Sequence, residues 1–147
     1  MGALGLFVVG FVAAALLWFG GVVLPRRLRS IDALRRFAAD HDAHVQGDGG
    51  ADALRIVGYV RGRMFTVLYQ VDWLRGDVLM VGVDCATSAA GSHEQGGLQA
   101  EAGDSALASR WFGPPRALLM RMDTVVDALV QMAEELEATQ PGGAEEE

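Results

Sequence analysis

The chain has 147 residues, a formal net charge of −7 and one cysteine. Outside one long apolar stretch about 120 residues remain, enough for a single domain with a modest core of its own. The acidic balance excludes nucleic acid as a partner, because binding phosphate needs clustered positive charge. A lone cysteine excludes an intrachain disulfide. The charge is unevenly spread. From Arg26 to Arg36 five arginines stand against one aspartate, and from Phe37 onward seven arginines stand against eighteen acids. Lysine and asparagine are both absent, which we read as compositional bias. Without asparagine there is no N-glycosylation acceptor.

The first predicted element is Ala3–Leu24, 22 residues without a charged or strongly polar side chain. As a helix it spans about 33 Å, enough to cross a bilayer core of about 30 Å. A cleaved signal peptide fits less well. No basic residue precedes the run, the run is longer than a signal core, and Val22-Val23-Leu24-Pro25 is a poor cleavage site. The expectation is an uncleaved signal-anchor, with the lipid bilayer as the first partner. Arg26, Arg27 and Arg29 lie in the basic segment 25–30, and Arg35 and Arg36 follow. Basic residues flanking a span stay on the cytoplasmic side, so the N-terminus is expected outside and the C-terminal domain in the cytoplasm. Arg26, Arg27 and Arg29 also suit anionic headgroups, and Trp18 suits the membrane interface. Gly10 and Ala14 form a small-xxx-small pair that allows close helix approach in the bilayer.

The domain is expected over 31–138. Pro25 ends or kinks the span. Ser30 then caps a helix to about Asp42, with Ile31, Leu34, Phe37, Ala38 and His41 on one face. Asp48-Gly49-Gly50 breaks the chain, after a short strand beginning at Val45. Leu54–Val60 and Met64–Val71 alternate and are rich in β-formers, and Arg61-Gly62 between them suits a tight turn. A longer turn around Trp73–Asp77 leads to a third strand, Val78–Cys85. Three or four strands in series predict an antiparallel meander. From Ala86 to Ser109 the sequence becomes Ala-, Gly- and Ser-rich and predicts a flexible loop. Gly113-Pro114-Pro115 is a break before a helix over 115–138. Its stripe is Leu118, Met122, Val125, Leu129, Met132 and Leu136, spaced four and three residues apart. That stripe is either the domain's own core or a seam for a partner helix. Residues 139–147 form an acidic tail predicted to be disordered. The class is α+β.

No motif specifies a reaction, a cofactor or a metal. His41-x-x-His44 has a spacing that shares a metal, but no second ligand pair accompanies it. Cys85 shares a strand face with Leu79, Val81 and Val83 and has acidic neighbours, which disfavour a thiolate. Asp72 and Asp77 bracket a turn, where aspartate is common for backbone reasons. Asp84 and Asp104 lack calcium-loop spacing. Arg61 and Arg63 flank a hairpin turn and have the charge to hold an anion. No family resemblance emerges. The first expectation is a non-catalytic single-pass membrane protein with a cytoplasmic interaction domain. It would be an accessory subunit or adaptor bound to another membrane or cytoplasmic protein, or to itself. The alternatives are a membrane-tethered module that binds or senses a small ligand, with 86–109 as its lid, and a hydrolase using Cys85 or an aspartate pair.

Overall fold

The computed structural model describes residues 3–46, 53–71, 76–86, 90–103 and 105–139. The fold is α+β, and the chain divides into two compact units, Met1–Ala33 and Leu34–Glu147. The predicted break at Asp48–Gly50, the turn residues Asp72 and Trp73, Asp104, and the tail from Gln140 lie outside the described residues.

The first unit is helical. Helix α1 runs Ala3–Trp18 and is followed by a π-helical turn, Phe19–Val23. Helix α2 then covers Leu24–Asp40. Of the end or kink expected at Pro25, the end is corrected here, as is the new cap at Ser30, because the helix runs through both. The ring of Pro25 excludes the carbonyl four residues back from the ladder, and the wider turn absorbs the mismatch. Leu24 donates its N–H to the Phe19 carbonyl, five residues earlier. Ser30 lies inside α2 and its hydroxyl donates back to the Arg26 carbonyl at 3.1 Å. Among the described residues one helix, Gly5–Asp40, is long and apolar enough to cross a membrane.

The second unit is built on one antiparallel sheet of seven strands: β1 His44–Gln46, β2 Ala53–Val60, β3 Arg63–Gln70, β4 Val78–Asp84, β5 Gly91–Gln95, β6 Leu98–Ala102 and β7 Ala106–Phe112. Their order is β1-β2-β3-β4-β7-β6-β5. The expected meander of three or four strands is its first half. The correction falls on Ala86–Ser109, expected as a flexible loop. That segment holds β5, β6 and the start of β7. Strand β7 pairs with β4 along seven positions, and the β5–β6 hairpin hangs from its far edge. Backbone pairing, not large side chains, makes this half of the sheet.

Two-residue turns close the tight hairpins. Arg61 (φ 52°) and Gly62 (φ 79°) join β2 to β3, with Val60 opposite Arg63. Both positive φ values give the primed turn that matches strand twist. Gly96 (φ 59°) and Gly97 (φ 81°) do the same between β5 and β6.

Alternate residues of the central strands point to one face and are buried: Leu54, Ile56, Phe65, Val67, Tyr69, Leu79, Val81, Val83 and Leu107. Helix α4, Met122–Thr139, covers that face with Met122, Val125, Val126, Leu129, Val130, Met132 and Ala133. The expected single helix over 115–138 is interrupted: a short α3, Arg116–Leu119, precedes α4. The end of α2 adds Leu34, Phe37 and Ala38 to the core. The Phe37 ring lies 5.6 Å from Phe65 and 4.4 Å from His41. Gly58, opposite Phe65, is fixed by this packing, because a Cβ there would stand 2.7 Å from the Phe65 ring and 2.8 Å from the Ala43 methyl.

Candidate functional site

The helices of the second unit pack on one face of the sheet and leave the other to solvent. Register builds the open face in rows. Arg55, Leu68, Met80 and Arg110 lie side by side across β2, β3, β4 and β7. The next row is Val57, Thr66, Gly82 and Ala108, all half-buried. Two exposed arginines thus bracket a strip of apolar and small side chains. Tyr59 and Phe112, at opposite ends, are 69% and 65% exposed. A hollow of about 270 Å³ on the same face is lined by Gln99, Glu101, Ala108, Arg110 and Phe112 among others.

On the helical side a second concavity lies between the β5–β6 turn, α3 and α4. It measures about 420 Å³. Leu98, Trp111, Leu118, Val125 and Ala128 supply its apolar wall. Gln95, Thr124 and Gln131 stand at its polar margin. Glu135 ties the two amides together: Gln95 Nε2 donates to it at 2.9 Å and Gln131 Nε2 at 3.0 Å. Part of the segment expected as a lid over the sheet forms one wall of this groove as a paired hairpin.

The strongest polar cluster joins the sheet to α4. Arg63 donates through both Nη atoms to Glu137, at 2.8 and 2.5 Å, and also to the Asp84 carbonyl. Glu137 further accepts the Ala86 N–H at 2.7 Å. The guanidinium holds the Glu137 carboxyl down at about 2, with the Ala86 N–H helping. Glu137 in turn raises the Arg63 guanidinium. Beneath the pair lies Cys85, 1% exposed, with its Sγ 3.9 Å from the Ala133 carbonyl. Burial first, then the Glu137 charge, push its thiol up. A thiol so placed is a small core hydrophobe rather than an accessible nucleophile.

The residues singled out from the sequence are distributed as follows. Gly10, Ala14 and Trp18 lie exposed on α1, and nothing comes within 4 Å of a Cβ built at Gly10. Arg26, Arg27 and Arg29 lie on α2. Met122, Val125, Leu129 and Met132 are buried against the chain's own sheet, and Leu118 and Leu136 are half-buried. His41 and His44 do not converge. His41 packs on Phe37 beside the Phe37 carbonyl, whereas His44 is exposed on β1. Among the described residues no three of His, Cys, Asp and Glu gather closely enough to hold a metal. Asp77 receives the Tyr69 hydroxyl at 2.5 Å. Arg61 meets Glu134 at 3.9 Å in an exposed pair of little energetic weight. Sequence reasoning missed the groove entirely; its one available signal was Gly96-Gly97, a hairpin dipeptide. No family model, curated protein or solved structure matches the chain.

Proposed function

We propose that this chain is a non-catalytic single-pass membrane protein, and that its sheet domain works in the cytoplasm as an accessory subunit or adaptor of a membrane-associated complex. The observation that carries the reading is the exposed apolar helix. Every residue from Gly5 to Val22 is exposed, including Leu6, Phe7, Phe11 and Trp18. A soluble chain does not leave so large a contiguous apolar surface in water, and a bilayer removes it at a gain of about 25 cal/mol per Å². The arginines that follow favour a cytoplasmic domain by the positive-inside rule. The open face of the sheet, apolar in its middle and flanked by Arg55 and Arg110, supports a protein partner for that domain.

Two measurements on the tagged full-length protein test this. Protease digestion of sealed, right-side-out vesicles should leave the C-terminal tag intact until the membrane is opened. Gentle extraction followed by mass spectrometry should recover one stoichiometric partner, lost or reduced when Met80 and Leu68 are both changed to Ser. Cleavage of the tag in sealed vesicles would sink the orientation. Recovery of the protein alone would sink the adaptor role.

A further inference from the structure

We propose that the groove between the β5–β6 turn and α4 is a binding site for a neutral small molecule, one with an apolar ring-sized body and an uncharged polar group at one end. Its volume of about 420 Å³ falls in the range of small-ligand pockets, roughly 300–1,000 Å³. Its wall explains the body. Leu98, Trp111, Leu118 and Ala128 are half-buried apolar side chains that converge where the α3–α4 break and the hairpin fail to meet. A ring seated there removes this surface from water and gains an aromatic partner in Trp111.

The margin explains the neutrality and the polar end. Among the described residues no charged side chain lines the groove. A fixed charge stands beside it in the Glu135 carboxylate, which holds the amides of Gln95 and Gln131. It repels anions and, with no cation in the lining, leaves phosphates and carboxylates without a counter-charge. The amide orientation follows from the same contacts, because a carboxylate accepts only from the NH₂ side. Each amide gives an N–H to Glu135, and Gln131, with one such bond, keeps a second. The amide oxygens can accept from a ligand, and that second N–H and the Thr124 hydroxyl can donate to one. A neutral polar group, donor or acceptor, therefore finds a partner at this margin. The Gly96-Gly97 turn is already set in its final geometry by β5–β6 pairing, so binding needs little reordering.

The test uses the full-length chain in lipid nanodiscs, with heats of partitioning into empty nanodiscs subtracted. Indole is the probe: neutral, ring-sized and with one N–H donor. Calorimetry should show saturable one-to-one binding, with Kd of about a millimolar or tighter. Thr124→Tyr fills the groove from an exposed position without touching the core, and Ala128→Phe fills it from α4. Each should weaken binding about tenfold or more. Benzoate, of similar size but anionic, should bind at least about tenfold more weakly than indole. Absence of saturable indole binding overturns the proposal. So does binding unchanged in both filled variants, or benzoate binding as tightly as indole.

Discussion

Glu137 is where the polar contacts between sheet and helix converge, and its titration should be readable in the stability of the domain. Its carboxyl lies at about 2 in the folded protein against an ordinary 4.5. The native state therefore binds this proton more weakly than the unfolded chain. The resulting stability is complete above the ordinary value and is lost as pH falls from about 5 toward 2. We expect the urea midpoint to drop over that interval, and Glu137→Gln to flatten part of the drop. Near neutral pH the same substitution should cost about 1–2 kcal/mol, since Arg63 and the Ala86 N–H lose a charged acceptor at a half-buried site. A pH profile that is identical in the two proteins would contradict this account. Cys85 offers a second check. Its thiol is buried and raised, so a maleimide should leave the native protein unmodified over the time in which urea-unfolded protein reacts fully. Gly58 offers a third: Gly58→Ala forces a methyl against Phe65 and Ala43 and should lower stability by about 1–3 kcal/mol, measured by denaturant unfolding.

At the level of elements, the sequence was legible wherever large side chains carried the period. β2, β3 and β4 alternate Leu, Ile, Val, Phe and Tyr, and both their faces and the Arg61-Gly62 turn could be read directly. The stripe of α4 was legible in the same way. Two features were hidden. β5 and β6 read Gly-Ser-His-Glu-Gln and Leu-Gln-Ala-Glu-Ala, which carry almost no apolar bulk. Their buried residues include Ala100 and Ala102, which carry only a methyl each. Here strand formation rests on backbone pairing, between β5 and β6, between β6 and β7, and, remote in sequence, between β7 and β4. The groove was illegible for the same reason, since it exists only once that hairpin stands beside α4. Gly97→Val tests the dependence. At φ 81° a β-branched residue is strained, at a cost of about 1–3 kcal/mol. Amide exchange should quicken in β5 and β6 while β2 and β3 stay protected; equal quickening in both hairpins would show that the sheet does not divide this way. The helix end at Pro25 was the other misreading. Its local chemistry argues for a helix end, and a wider turn upstream resolved the conflict without one.

For the molecule as a whole, the two units make opposite demands on solvent. The first exposes Leu6, Phe7, Phe11, Leu17 and Trp18, whereas the second buries its large side chains on one sheet face. Deleting residues 1–33 should therefore give a soluble protein that unfolds cooperatively in urea, while the full chain stays with the membrane through alkaline extraction. Release of the full chain by alkali would remove the bilayer from the account. The π-helical turn Phe19–Val23 adds something that length and hydrophobicity do not. One surplus residue in a single turn rotates everything after it by about 100° about the helix axis. The compass bearing of Arg26, Arg27 and Arg29 relative to Gly10 and Ala14 is thus set by that turn and not by the thickness of the span. Deleting Val22 would shorten the rod by only about 1.5 Å yet swing its basic end through more than a quarter circle. Depth and heading are separate variables in this rod, and a single residue is enough to change one while nearly preserving the other.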